Sequence, residues 1–546
     1  MRTRTVVFLG LVVATACARH GTPPAPSEPP PPLFDNLGTH HHGVTTRSPG
    51  AQRYFDQGLR LVWAFNHDEA TRAFQQAARL DPGCAMAWWG VALAAGPNYN
   101  DPGNRERDRR AWDALQHAVK LRPTISASEV AYVDALAKRY TKEPPPDRKA
   151  LDVAYADAMR DVVRRNPDDL DAATLFAESL MDLRPWDLWT ADGRPQPGTE
   201  EIVATLESVL ARDPSHPGAN HYYIHAVEAS SAPDRGLAAA GRLATLVPGA
   251  GHLVHMPAHI YYRVGRYGDA VEANRRAVAV DRAYLADAKP TGAYPMMYYP
   301  HNLDFLWSAA SMEGRSAETI AAARELGELV KPEMAREMPE AEAALVTPLL
   351  ALARFGRWQE ILDAPAPPDD LAFAQTVSHY ARGLALTRTG RLDDADLEQT
   401  ALEASAAKIP PDRMTQQVNS LKSLADIASA VLAGERASAR AHNVEAVRHL
   451  EEAVRRQDAL RYMEPPPWYY PVRQSLGAAL LAAGRARAAE AVYREDLRRN
   501  RDNGWSLYGL ARSLRAQKKV KEAAAVEARF KRAWAAADVR LVASRF

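Results

Sequence analysis

The 546-residue chain is poor in cysteine and has no excess of either charge. Its only cysteines are Cys17 and Cys84, so it can form at most one intramolecular disulfide. Such a chain relies on apolar packing, or on a metal, for its stability. Lys and Arg number 68 against 67 Asp and Glu, for a net charge of +1. Duplex-binding proteins usually carry a basic surplus, so nucleic acid is not an expected partner.

Several other signals are also missing from the sequence. We find no alternating strand pattern and no G-x-G-x-x-G or Walker loop after a strand, so no nucleotide cofactor is expected. H-E-x-x-H and G-x-S-x-G are absent as well, which leaves no signature of a zinc protease or a serine hydrolase. The apolar run near the N-terminus is shorter than the ~20 residues of a membrane-spanning helix.

That apolar run has the pattern of a secretory signal. Two arginines precede VVFLGLVVATA, and the sequence predicts a signal peptide over residues 1–17. The end of the run, ATAC, resembles the bacterial lipobox, which implies lipidation of Cys17; a plain signal peptide with an incidental cysteine is the alternative. Ala18 after the cysteine implies outer-membrane sorting. We therefore expect an exported lipoprotein of the bacterial cell envelope, facing the periplasm or the cell exterior and touching the membrane only through its lipid.

Residues 18–49 form a Pro-rich linker with a histidine-containing lead-in, GTHHHGVTT, and residues 50–540 follow a repeating pattern. The repeats divide into N-terminal units at about 50–180, histidine-rich central units at about 200–320 and C-terminal units at about 340–540.

The first unit, YFDQGLRLVWAFNHDEATRAFQQAARLDP, indicates how the helices of a repeat pack together. Its small residues, such as Gly58 and Ala77, permit two antiparallel helices to approach closely, while Tyr54 and Phe74 fill the space between pairs. No unit buries its apolar face alone, so the units must stack. Later segments such as HIYYRVGRYGDAVEANRRAVAVD and SLGAALLAAGRARAAEAVYREDLRRN share this pattern.

The pattern and its period of ~34 residues resemble those of the tetratricopeptide repeat (TPR) family. The resemblance implies an all-α fold, a TPR-type helical-hairpin solenoid in the form of a right-handed superhelix, with long ordered loop insertions. The blocks NHYYIHAVEAS, GHLVHMPAHIYYRVGRY and YYPHN also resemble a group of exported bacterial TPR lipoproteins that have no assigned activity. TPR proteins in general bind a protein or peptide in their concave groove.

Two insertions rich in aromatic residues interrupt the array, at 181–199 and 281–302. Long loops inside a compact array are usually functional. Together with the loops GPNYND and EPPPWYYPVR, they supply side chains that suit a pocket for a peptide, a glycan or an aromatic substrate, the alternative being ordinary loop packing. The pocket candidates are Trp186, Trp189, Tyr298, Tyr299, Trp468 and Arg473.

Histidines cluster in the central units, where seven of the 16 lie between His216 and His301. In each of two units a histidine pair has the spacing i, i+4, and 34 residues separate His221 from His255 and His225 from His259. The pairs therefore occupy equivalent positions in consecutive units. In the TPR family these positions, 5 and 9 of the first helix, line the groove, and His252 and His301 fall at position 2 of their units. Because Pro257 favours a helix start near Met256, His252 and His255 are expected on the segment that enters the helix.

Imidazoles from adjacent helices ~8–10 Å apart can meet and hold Cu or Zn. The predicted ligands are His221, His225, His252, His255, His259 and His301. Glu228 and Asp304 are weaker candidates, as a ligand, an orienting acceptor or a general base for bound water. His40, His41 and His42 are weaker still, because the lead-in either folds back into the groove or stays a mobile polar segment.

Three functions remain open from the sequence. The first is a metal-free scaffold that docks partner proteins in the cell envelope. The second is a metalloprotein, with a small substrate near the metal if it is an enzyme. The third is metal storage or delivery without catalysis.

Overall fold

The computed structural model describes residues 30–290, 292–415 and 418–546. The predicted signal peptide, Cys17 and the first part of the linker lie outside the described residues.

The N-terminal and central parts of the described chain are helical, with short connections. Their helices are α1 Pro49–Trp63, α2 His67–Leu80, α3 Ala85–Ala95, α4 Arg105–Leu121, α5 Ala127–Leu136, α6 Lys149–Arg165, α7 Leu170–Met181, α8 Thr199–Arg212, α9 Pro217–Glu228, α10 Leu237–Leu246, α11 Gly251–His255, α12 Pro257–Arg263, α13 Tyr267–Ala288, α14 Tyr299–Met312 and α15 Ser316–Leu329, with 3₁₀ turns at Arg122–Thr124 and Pro233–Gly236 and a π-turn at Tyr294–Tyr298.

The C-terminal part continues in the same way. Its helices are α16 Pro332–Glu337, α17 Pro339–Arg354, α18 Trp358–Asp363, α19 Ala372–Arg388, α20 Leu392–Ala406, α21 Leu421–Ala439, α22 Asn443–Asp458, α23 Arg473–Ala482, α24 Ala486–Arg499, α25 Gly504–Ala516 and α26 Val520–Ala533. A two-residue antiparallel ribbon, β1 Met414–Thr415 and β2 Asn419–Ser420, places Met414 opposite Ser420.

Consecutive helices pack as hairpins, for example α1 with α2, α19 with α20 and α21 with α22, and each hairpin packs on the next. Small residues permit this packing as predicted. A Cβ added at Gly58 would lie 2.6 Å from the ring of Phe74, and one at Gly90 would lie 2.4 Å from the same ring. The chain is therefore an all-α helical-repeat solenoid.

The C-terminal repeats return to contact the central ones. Trp505, fully buried on α25, donates from Nε1 to the carbonyl oxygen of Ser311 at 2.9 Å. Arg501 forms a 2.8 Å ion pair with Asp234, and Tyr462 reaches Glu228. These contacts bring the loop after α22 over the histidine-rich helices.

The lead-in before α1 is packed against the array. Leu37 is buried in the core, the carbonyl oxygen of Asn36 accepts from the backbone of Gly249 at 2.8 Å, and the backbone of Thr45 donates to Glu129 at 2.6 Å. The lead-in thus folds back onto the array, and it is not the mobile polar segment of the other alternative.

In the part of the chain that the structure describes, no helix is long and apolar enough to cross a membrane.

Candidate metal centre

The six central histidines form two adjacent groups on α9, α11, α12 and α14. The first triad is His221, His225 and His252, and the second triad is His255, His259 and His301. Within each triad, one potential ligand atom from every residue lies within 4.8 Å of the others. All are buried except His301, which is partly exposed.

The break between α11 and α12 positions three of these rings. Met256, between the two helices, keeps helical backbone angles, and Pro257 starts α12, where a proline needs no N–H partner. His252 and His255 therefore lie on a short helix of their own. The helix α12 thus starts beside Met256 as expected, and the segment that enters it, with His252 and His255, is itself the short helix α11.

Two histidines at equivalent places in the triads donate from Nδ1 to atoms that only accept. His221 Nδ1 lies 2.7 Å from the carbonyl oxygen of Trp63, and His255 Nδ1 lies 2.6 Å from Asn274 Oδ1. The Asn274 amide is oriented by its Nδ2, which donates to the carbonyl oxygen of Ala270 at 2.8 Å. Both rings therefore carry their proton on Nδ1 and, when neutral, present a bare lone pair on Nε2.

Glu228 gives the same orientation to one histidine in each triad. Its Oε1 accepts from His225 Nδ1 at 2.8 Å, and its Oε2 accepts from His259 Nδ1 at 2.5 Å. Burial opposes ionisation, but His259 and His225 lower the pKa of Glu228 to about 2. Of the three roles considered for Glu228, the geometry supports the orienting acceptor, since both oxygens already bind imidazole N–H groups.

The Nε2 atoms of the triads point at one another. His255 Nε2 lies 2.8 Å from His259 Nε2, and His252 Nε2 lies 3.2 Å from His221 Nε2. The Nε2 of His225 is buried without a hydrogen-bond partner. Two nitrogens that bind one tetrahedral ion at ~2.0–2.1 Å are about 3.3 Å apart, which the His221–His252 separation matches, whereas the shorter His255–His259 separation is that of a hydrogen bond. In the His255–His259 pair, two bare lone pairs require a cation between them, either a proton or a metal ion.

Burial keeps most of these rings neutral. It lowers the pKa of His221, His252 and His255 well below the ordinary value, with neighbouring histidines adding to the effect, and lowers that of His301 to about 3. His259 differs: burial lowers its pKa, but Glu228 outweighs burial and raises it above 6.5. Neutral imidazole is the form that binds metal, so burial favours the metal-binding form of these rings, and only at His259 does Glu228 outweigh it.

A cavity of about 1070 Å³ opens beside the triads. His225, His252, His259 and His301 line it, together with mostly apolar side chains from the loops at 97–102, 182–186, 295–298 and 461–469. The aromatic-rich insertions therefore converge on the histidines. A cavity of this size suits a small molecule.

Three of the six predicted pocket residues, Trp186, Tyr298 and Trp468, line this cavity. The other three do not line it and contact other parts of the protein. Trp189 donates to the carbonyl oxygen of Ala226 at 2.7 Å, Tyr299 bonds Glu325 at 2.6 Å, and Arg473 pairs with Asp458.

Two acids lie near the histidines. Asp304 lines the cavity, accepts from Trp307 Nε1 at 2.6 Å, and has a pKa that burial raises to about 6. Burial, and then the charge of Glu228, raise the pKa of Glu464 to about 7. Tyr462 donates to Glu464 and lies 3.2 Å from Glu228. Glu464 was not predicted as a site residue, although its loop EPPPWYYPVR was singled out. Its position near the histidines depends on the return of the C-terminal repeats, which the sequence did not indicate.

The lead-in histidines belong to a separate cluster. His40 Nε2 and His216 Nε2 lie 2.9 and 3.1 Å from Asp171 Oδ1, and His42 Nδ1 lies 2.7 Å from Asp171 Oδ2. His41 bonds Asp56 at 2.8 Å. His216 Nδ1 accepts from a backbone N–H at the start of α9, so its Nε2 carries the proton and donates to Asp171. These contacts are satisfied without a metal, and none of the three lead-in histidines joins either triad.

The fold and the buried histidines together define a helical-repeat protein with a polar centre. No protein-family model and no curated protein match the chain. Among solved structures it is similar to the human IFIT1 dimer with m7Gppp-AAAA, at 14% identity and a TM-score of 0.34, over 86% of this chain and 94% of that one. It is also similar to the APC/C hetero-tetramer Cut9-Hcn1, at 13% identity and a TM-score of 0.29, over 90% and 78%. Likenesses this distant carry no argument about function.

Proposed function

We propose that the protein binds Cu or Zn at its central histidines. One observation carries this proposal: imidazoles whose Nδ1 atoms are tied to acceptors turn their bare Nε2 atoms toward one another in a buried space. Nitrogen ligands oriented by a second layer of acceptors are what a Cu or Zn site needs. A scaffold that only docks proteins has no use for this arrangement.

The cavity supports a small molecule, rather than an extended peptide, as the partner of the metal. Rings from both triads form part of its wall, and the rest is mostly apolar. Three protein ligands leave a zinc position open, as in catalytic sites, whereas structural sites have four. Asp304, with a pKa of about 6, is placed in this cavity and suits a general base near neutral pH. Catalysis, storage and delivery of the metal all fit such a site.

The cell-envelope location is part of the same proposal. It is supported by the signal-like N-terminus and by ATAC before the linker. An exported location favours Cu or Zn over Fe²⁺ as the ion. Detection of a lipid-modified Cys17 by mass spectrometry of the membrane fraction tests it.

Elemental analysis of protein purified without a histidine tag tests metal binding. We expect near-stoichiometric Cu or Zn in the wild type and a loss of that metal in a His225→Ala, His259→Ala double variant. His379→Ala is a matched control, because His379 lies on α19, pairs with Glu398 at 2.7 Å and belongs to neither triad. The control should retain the metal.

Protein that is isolated without metal, and that binds neither Zn²⁺ nor Cu²⁺ when dialysed against them, would overturn the proposal. A metal-free scaffold for protein partners in the envelope would then be the better description.

A further inference from the structure

We infer that the centre is dinuclear, with one metal ion held by the first triad (His221, His225, His252) and a second ion by the second triad (His255, His259, His301). This inference rests on the proposed metal function and specifies its stoichiometry.

Both triads are built by the same rule from the repeat. The first triad takes its i, i+4 pair, His221 and His225, from one unit and its third ring, His252, from the start of the next unit. The second triad takes His255 and His259 from that next unit, 34 residues later, and its third ring from the unit after, at His301. A repeated architecture that makes one three-histidine site therefore makes a second one beside it.

The orienting contacts repeat as well. The position-5 rings, His221 and His255, donate to separate neutral acceptors, Trp63 O and Asn274 Oδ1. The position-9 rings, His225 and His259, donate to the two oxygens of one carboxylate, Glu228. Each triad thus has its own set of oriented nitrogens, and the shared carboxylate couples the two sets and supplies one negative charge between them.

The two triads are in contact. The ring centroids of His225 and His259 are 5.3 Å apart, and those of His252 and His255 are 5.8 Å apart. These cross-triad distances are close to those within a triad, such as 5.0 Å for His221 and His225. Ions held by the two triads would therefore be direct neighbours, and two-metal sites have ions ~3.5–4 Å apart.

Both triads also open on the same cavity, since His225 and His252 come from the first and His259 and His301 from the second. With three protein ligands each, the two ions would have room for further ligands. The ligand class that such a centre would take is a small oxygen donor, such as water or hydroxide, supplied through this cavity.

Two repeat-equivalent variants test the inference. His221→Ala removes a ligand from the first triad only, and His255→Ala removes the equivalent ligand from the second; neither residue contacts Glu228. Each purified protein is stripped with EDTA, dialysed against Zn²⁺ or Cu²⁺, and analysed for bound metal. We expect two ions per chain in the wild type, one in each single variant and none in the double variant. Far-UV circular dichroism of each stripped protein verifies that the helices are retained.

The Cu²⁺ form gives a second readout that misfolding does not imitate. Two Cu²⁺ ions joined by a bridging oxygen couple magnetically, so the wild type should show an electron paramagnetic resonance signal well below two spins per chain. Each single variant should instead show the full signal of one isolated Cu²⁺, so that the loss of a ligand increases the signal per copper.

The possible failures are distinguishable. A wild type that binds no metal overturns the proposed function itself. A wild type that binds a single ion, or a folded single variant that loses all its metal, leaves the metal function standing and overturns the dinuclear inference. Two fully visible, uncoupled Cu²⁺ signals in the wild type would overturn the adjacency of the two ions.

Discussion

Replacement of Glu228 by glutamine tests whether this carboxylate orients the histidines of the proposed metal centre. The wild-type carboxylate accepts from His225 Nδ1 at 2.8 Å and from His259 Nδ1 at 2.5 Å, and both contacts need an oxygen. The Glu228→Gln side chain keeps the shape but has one oxygen and one NH₂ group. One of the two imidazoles then faces a donor, so it must move its proton to Nε2, the atom that would bind the metal, or turn away.

The size of the effect follows from this geometry. Loss of one second-layer contact to a ligating histidine typically weakens metal binding ~10–100-fold, or about 1.4–2.7 kcal/mol. Because the two contacts of Glu228 go to different triads and glutamine preserves one of them, we expect one ion to weaken by this factor and the other to weaken less. Competition with a chromophoric chelator for Zn²⁺ at pH 7 measures both affinities.

Glu464→Gln is the matched control for that variant. Glu464 is a buried carboxyl close to Glu228, but it accepts from Tyr462 and belongs to neither triad. We expect its Zn²⁺ affinities to remain near those of the wild type. Affinities in Glu228→Gln within twofold of the wild type, for both ions, would refute the orienting role of Glu228 and with it the reasoning from Nδ1 contacts.

Three further predictions concern stability, each measured by urea unfolding. His252→Leu removes a buried, unpartnered Nδ1 but also the partner of His221 Nε2 at 3.2 Å, so the stability of the metal-free protein should change by less than about 1 kcal/mol, whereas the Zn²⁺-loaded variant should be less stable than the loaded wild type; an equal loss in both states contradicts His252 as a ligand. Burial raises the pKa of Asp281 from 3.8 to about 7 despite hydrogen bonds from Tyr294 and Asn302, so ionisation disfavours the fold as pH rises from about 4 to 7. At 1.36 kcal/mol per pKa unit, Asp281→Asn should gain up to about 4 kcal/mol over the wild type across that range, and a constant difference would contradict the assignment. Trp505→Ala empties a fully buried site between the central and C-terminal repeats and should cost about 3–5 kcal/mol; a cost below about 1 kcal/mol would show that the C-terminal repeats do not pack there.

The fold could be predicted because the residues that pack one helix of a repeat against the next form a recognisable pattern in the sequence. Gly58 was predicted to permit close approach of the helices and Phe74 to fill the space between pairs, and in the structure the ring of Phe74 packs directly against Gly58. The 34-residue spacing likewise indicated that two histidine pairs lie side by side, and the structure brings His225 and His259 together.

The sequence did not predict which histidines form each triad. Pro257 correctly indicated the start of α12, but the sequence did not show that the residues before it form the short helix α11, on which His252 lies close to the pair of the preceding unit. The hydrogen-bond partners of the Nδ1 atoms could not be predicted either. Any residue has a backbone carbonyl like that of Trp63, and Asn274 lies on a different helix from His255. Glu464 was missed because its place depends on repeats more than 200 residues away in the chain.

The cost of the cluster itself distinguishes a metal centre from an inert core. Without a metal, His225 Nε2 and His252 Nδ1 are buried polar atoms without partners, which costs roughly 2–6 kcal/mol at about 1–3 kcal/mol each. Domains are stable by only about 5–15 kcal/mol, so this is a large fraction of the total. The lead-in cluster differs, since Asp171 accepts from His40, His42 and His216, although His40, Asp171 and His216 also lie close enough together to hold an ion. Both unpartnered nitrogens belong to the first triad, so an ion bound there would relieve part of this penalty, which supports the triads, rather than Asp171 and its histidines, as the proposed metal site.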